Sequence, residues 1–177
     1  DIFDVYKGKI FHFPPPNASK NFSKVELKLP EFNGLVGNFP FIRQEIIEKK
    51  DKGYKTKLTK VLAVEYFLSN PNLFKTKGIN GNHNEELTKA SKEKQKRDIE
   101  KYVDNKNIEL RLSGQADIYT YIFLHTATLL SENGSLAIIT SNSWLDVSYG
   151  SVLKEFFLNN FKIKAVIASW AEPWFAD

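Results

Sequence analysis

The chain has 177 residues, 42% of them hydrophobic and 14% aromatic, a size and composition at which one domain with a real core is the default and disorder is not. Twenty-five Lys and Arg against 21 Asp and Glu leave a net charge of +4, compatible with nucleic acid without demanding it. The absence of cysteine excludes a disulfide framework and a thiolate zinc site, three scattered histidines argue against a histidine metal site, and no run reaches the roughly 18 apolar residues of a membrane span, so a cytoplasmic, metal-free protein fits best.

Residues 1–31 form an N-terminal extended segment. Short alternating runs (Val25, Leu27, Leu29) and the rigid triplet Pro14-Pro15-Pro16 suit extended or hairpin-like structure. From Phe32 the pattern sharpens, because Leu35 and Val36 lie in a short apolar run ending at Gly37-Asn38, which predicts a buried core strand at 34–38. Leu58, Val61, Leu62, Glu65 and Leu68 recur at helical spacing over 58–68. Residues 84–104 are rich in charge and poor in apolar positions, within a polar helical insertion at about 70–112. They read mainly as solvated surface.

The last third is the most regular. Ile118, Ile122, His125 and Leu129 share a helical face, and Asn133-Gly134 supplies a left-handed stop, so a helix is expected at about 116–131. On that apolar stripe His125 reads as a core histidine. Residues 135–141 then predict a strand buried on both faces, Val152, Leu153, Phe156 and Phe157 a further helix, and Ile163–Ser169 a third strand. Strand, helix, strand, helix, strand implies parallel strands joined by crossover helices, and hence a doubly wound α/β domain.

Ligands of open α/β sheets sit beyond the carboxyl ends of the strands. After the 34–38 strand comes Asn38-Phe39-Pro40-Phe41, within Val36-Gly37-Asn38-Phe39-Pro40-Phe41-Ile42-Arg43-Gln44-Glu45. Taken alone, the tetrapeptide is equally a loop carrying a core aromatic. A second block runs from Gln115-Ala116-Asp117-Ile118-Tyr119 through Asn133-Gly134 to Leu136-Ala137-Ile138-Ile139-Thr140-Ser141-Asn142-Ser143-Trp144-Leu145. It continues through Tyr149-Gly150, Lys154-Glu155-Phe156 and Phe161-Lys162-Ile163 to Glu172-Pro173-Trp174-Phe175.

Together these blocks resemble the adenine-N6 DNA methyltransferases of type IIG and type I restriction–modification systems and related phage-defence enzymes. The resemblance covers most of 32–177, is weak before residue 32 and is absent from about 46–110. It implies a partial Rossmann-like methyltransferase fold, with parallel central strands flanked by helices and the donor-binding half missing. Residues 32–177 would be the base-binding half, and S-adenosylmethionine the methyl donor. The partners implied are double-stranded DNA with a flipped adenine and the remainder of the parent protein or a specificity subunit.

The resemblance also assigns roles. An exocyclic amino nitrogen is a poor nucleophile because its lone pair is delocalised into the ring. In the family a carboxamide or carboxylate oxygen and the next backbone carbonyl accept both amino hydrogens, which favours a pyramidal nitrogen. Here these acceptors would be Asn38 Oδ1 and the Phe39 carbonyl, with Pro40 continuing the motif and Phe41 stacking on the flipped base for roughly 1–3 kcal/mol. Phe39 stands where the family has proline, so the ring that presets φ is lost, and a catalytically impaired DNA-binding module is the alternative reading. Ser141, Asn142, Ser143 and Trp144 are expected beside Asn38, lining the base pocket or touching DNA; for Trp144, packing beneath the next helix is as good a reading. Arg43 either reaches a phosphate or stands exposed with no specific task.

Neither the glycine-rich donor turn nor the acidic residue after the second strand is found. Gly78-Ile79-Asn80-Gly81 is rejected as that turn because it is expected neither to follow a strand nor to open a helix, and Asp1 would be a remnant of the acidic donor contact after the third strand. The start at Asp1-Ile2-Phe3-Asp4 is unlike a signal peptide, and the chain contains no methionine. It reads as a piece of a longer protein, cut so that one edge of the Asn38 strand lacks its neighbour and self-associates or is covered by other chain. Titration calorimetry on these 177 residues is accordingly expected to show weak S-adenosylmethionine binding; tight binding would contradict this account of the boundary.

Overall fold

A computed structural model describes residues 4–13, 25–38, 53–79, 81–112, 116–146 and 150–168. Strands β1 (Ile10–Phe13) and β2 (Val25–Lys28) form an antiparallel ribbon in which Ile10 faces Lys28 and Phe11 faces Leu27. Strand β3 (Phe32–Asn38) and helix α1 (Tyr54–Tyr66) follow. A 3-10 turn at Pro71–Leu73 leads into β4 (Phe74–Thr76), and α2 (Gly81–Lys89), α3 (Lys92–Asp104) and β5 (Ile108–Leu110) come next. The chain ends with α4 (Ile118–Thr128), β6 (Leu130–Ile139) and α5 (Gly150–Asn160).

Helix α1 starts at Gly53, whose φ of 94° lies in the left-handed region, and buries Leu58, Leu62 and Ala63. Leu58 and Leu62, four residues apart, make one stripe facing inward. From the same helix the Tyr66 hydroxyl donates to the Leu124 carbonyl at 2.8 Å, and burial, followed by the nearby Glu65 charge, pushes its pKa well up. The phenol therefore stays a donor and ties α1 to α4.

Helix α4 is buried on every side, from Tyr119 to Thr126 without a break, and is the central element of the core. Its threonine hydroxyls are satisfied locally: Thr120 Oγ1 donates to the Asp117 carbonyl at 2.7 Å, Thr128 Oγ1 donates to that of His125 at 2.7 Å, and Thr126 Oγ1 donates to that of Ile122. His125, 1% exposed, is a core residue.

The charge-rich stretch is mainly solvated, as its composition suggests, but it also carries a buried apolar stripe. Ser91 caps α3 by accepting from the Lys94 N–H at 3.3 Å; Ile99 and Val103, spaced by four, are buried where α3 packs on α1, and Leu87 of α2 joins the same core. Its charges lie outward, where Lys60 and Asp104 pair at 2.8 Å. A low share of apolar residues hid a narrow apolar stripe. Antiparallel β4 and β5, with Phe74 opposite Leu110, also contribute to this core, so the 70–112 segment is built into it.

Strands β3 and β6 run parallel, Leu35 opposite Leu136 and Asn38 opposite Ile139, in a mixed α/β fold compatible with a partial Rossmann-like arrangement. Several boundaries depart from expectation. The helix expected to run to 131 ends at Thr128, and the left-handed Asn133 (φ 63°) lies within β6, where the register shifts between Phe32 and Gly34. That bend needs glycine next: a Cβ on Gly134 would lie 2.9 Å from the Ser131 carbonyl oxygen and 3.0 Å from that of Phe32.

Neither β3 nor β6 is buried on both faces. Val36 is 87% exposed, and β6 is buried at Leu130 alone, because among the described residues the sheet has two strands and helices do not cover both its sides. The third strand expected at Ile163–Ser169 is not formed over its described residues: residues 161–168 lack regular structure, with Val166 and Ile167 exposed and no strand paired with them among the described residues, and Ser169 lies outside these. Among the described residues no helix is long and apolar enough to cross a membrane. Replacing Leu62, fully buried on α1, with alanine is expected to cost about 2–5 kcal/mol, read as a lowered midpoint in urea unfolding.

Candidate functional site

Parallel pairing brings the carboxyl ends of β3 and β6 to the same end of the sheet, neighbours at roughly 4.8 Å strand spacing. Asn38 closes β3 there, exposed, on the same face as Val36 by strand alternation. Beyond Ile139, which faces it, come Thr140, Ser141 and Asn142 and a 3-10 turn at Ser143–Leu145. The expected neighbourhood of Asn38 and the 141–144 segment is thus present. Phe39, Pro40, Phe41, Arg43 and Asp1 lie outside the described residues.

The loop after β6 is held from several directions. Tyr119 Oη lies 3.0 Å from Ser143 Oγ, which lies 3.0 Å from Ser141 Oγ, and Ser141 Oγ accepts from the Ser143 backbone N–H at 3.2 Å. Lys154 Nζ donates to the Leu145 carbonyl at 2.8 Å, tying the turn to α5. Half-buried Trp144 packs edge-on against Phe123 at 5.9 Å and Phe157 at 6.1 Å between centroids, so its ring has the packing role under the next helix. Asn142 is exposed and makes no capping side-chain bond to the turn it begins. The Thr140 hydroxyl is shut off from solvent with no hydrogen-bond partner among the described residues.

Residues 139–145 carry no charged side chain. The carboxamide and hydroxyls of this stretch suit hydrogen bonding to an uncharged polar group. Sequence reasoning named Asn38, Asn142 and Trp144 but gave no separate part to Tyr119, whose hydroxyl reaches Ser143 only through the tertiary fold.

The described residues do not fit S-adenosylmethionine. Neither parallel strand is followed by a glycine-rich turn, since Asn38 precedes Phe39-Pro40-Phe41 and Ile139 precedes Thr140-Ser141-Asn142. The two grounds for rejecting Gly78-Ile79-Asn80-Gly81 are, however, overturned: β4 ends at Thr76 and α2 opens at Gly81, with Gly78 at φ 69°, while Asn80 lies outside the described residues. What separates it from a dinucleotide loop is its strand, which belongs to an antiparallel ribbon.

An amide-ended parallel strand beside a polar loop stands at the sheet end where open α/β sheets place their ligands. Comparison with known proteins adds a family likeness. Residues 88–175 match the model described as Eco57I restriction-modification methylase, and it is this family that the chain resembles there. A 53-residue stretch, 30% of the chain, is 36% identical to the Type II methyltransferase M.BstVI of Geobacillus stearothermophilus, of whose length it covers 9%. No solved structure matches. The family match begins within the 46–110 stretch where no resemblance was found, and it does not reach Asn38.

The close packing of this loop against α5 rests on one glycine. A Cβ on Gly150 would stand 1.6 Å from the Trp144 carbonyl oxygen, so Gly150→Ala must push the turn away. It is expected to destabilise the protein by about 1–3 kcal/mol, visible as a lower melting temperature.

Proposed function

We propose that the chain is the base-holding half of a doubly wound, S-adenosylmethionine-dependent DNA methyltransferase that modifies the N6 amino group of adenine in a restriction–modification or phage-defence system. The observation that carries this reading is the placement of Asn38, exposed at the carboxyl end of β3 and opposite the end of β6, which lies within the segment matched to the methylase family.

In this reading Asn38 Oδ1 and the Phe39 carbonyl accept the two hydrogens of the amino group, leaving the nitrogen lone pair directed away from the ring plane. Phe41 provides the stacking face for the flipped base and Pro40 shapes the turn between them. Asn142 and half-buried Trp144 follow β6 at the same end of the sheet and would contact the DNA around the flipped nucleotide, while Arg43 would meet a phosphate. Bound S-adenosylmethionine would supply the methyl group, with Asp1 as the one candidate contact on this chain. The remainder of the parent protein or a specificity subunit would complete the enzyme, with a cytoplasmic prokaryotic location. The departure at Phe39 favours a second reading, a methylase-like DNA-binding module with impaired catalysis.

One experiment addresses both. In the full-length enzyme Asn38→Ala is expected to lower N6-adenine methylation by about 10²–10³-fold. Its exposed position should keep the stability change within about 0.5 kcal/mol. Retained methylation would remove Asn38 from the mechanism. A rise in kcat on Phe39→Pro would identify the natural residue as the source of impairment.

A further inference from the structure

The hydroxyls of Tyr119, Ser143 and Ser141 form a chain that the proposed reaction leaves unused. It begins in the core, since Tyr119 is 1% exposed, and ends at Ser141, two residues beyond the Ile139 that faces Asn38. Each hydroxyl has one proton to donate and can accept two. A phenol is more acidic than an aliphatic alcohol, which makes Tyr119 the better donor to Ser143 and directs the Ser143 proton to Ser141. Ser141 Oγ also accepts from the Ser143 backbone N–H at 3.2 Å, so with the hydroxyl chain running in this direction both its acceptor positions are filled. Its remaining capacity is donation, at the end of the sheet where Asn38 stands. A base offers ring nitrogens as acceptors, complementary to such a donor.

We propose that Ser141 donates a hydrogen bond to a ring nitrogen of the acceptor base, and that Tyr119 and Ser143 are positioning residues that hold the hydroxyl in that direction. The inference rests on the acceptor-site reading of Asn38. It gives the site a means of distinguishing bases by where their ring acceptors lie, separate from the amino recognition at Asn38.

The test uses the full-length enzyme on duplexes carrying adenine, 1-deazaadenine, 3-deazaadenine or 7-deazaadenine at the target. Ser141→Ala is expected to lower kcat/KM on adenine about tenfold and to have no further effect on the one analogue that lacks the contacted nitrogen. Tyr119→Phe is expected to act in the same direction, to add nothing in the Ser141→Ala background, and to leave KM for S-adenosylmethionine unchanged. Ser143→Thr, which keeps a hydroxyl, should retain activity where Ser143→Ala does not. Equal penalties on all four duplexes, or wild-type kinetics for Ser141→Ala, would overturn the proposal. Asn38→Ala run alongside separates the two levels: if it stays active the acceptor-site reading fails, and if it is inactive while the Ser141 penalty ignores the ring nitrogens this inference alone fails.

Discussion

The parallel pairing of β3 with β6 is the constraint on which the candidate site depends. Antiparallel strands would put Asn38 at the opposite end of β6 from Ser141 and Asn142; parallel ones bring two loops remote in sequence to one rim. The register is exacting because side chains alternate with a period of two, and a slip by one residue would turn Asn38 to the other face. It is anchored where β6 bends. There the left-handed Asn133 and the tight approach of Gly134 absorb the extra residues between Leu130 and Ser135, and Ser131 Oγ donates to the Phe32 carbonyl at 3.2 Å and to Asn33 Oδ1 at 2.8 Å.

Rigidity reaches that rim from the core through α4. A helix buried on all sides has almost no freedom to shift in a close-packed interior, so groups projecting from it are well-fixed reference points. Phe123 places the Trp144 ring, Tyr119 places Ser143, and α5 adds the Lys154 contact and the Gly150 packing. The same arrangement that stabilises the fold thus leaves Asn38 and Asn142 exposed next to a loop that is already ordered. A site so prepared orders fewer groups on binding than a mobile loop would.

The sheet itself is thin for a parallel one. Parallel strands are ordinarily covered on both faces, yet Val36 is 87% and Ile139 40% exposed at this rim. Apolar surface on paired strands favours association with further polypeptide. The matched stretch makes up 9% of the curated relative's length, so a methylase of that kind contains far more chain than these residues.

The local pattern alone determined most elements and their type. Apolar spacing located α1, α4 and α5, because each buries a stripe that its period reveals, and apolar runs marked the two parallel strands, although β6 starts at Leu130, five residues before its expected start. It also singled out Asn38, since chemistry in such folds gathers after strands, and a family resemblance supplied roles that periodicity lacks. Burial was beyond its reach. The same apolar run is a core strand or an exposed one according to what covers it, which explains the exposure of β3 and β6 and the unformed strand after residue 161. The stripe on α3 was obscured by its charges, and the Gly78 turn was misjudged because three-residue β4 is too short to show a period. Only the tertiary structure decided the pairing of Asn38 with Ile139, the packing of Trp144 and the link from Tyr119 to Ser143. Each joins residues whose separation along the chain is set by topology, and no local pattern records which distant partner a side chain will meet.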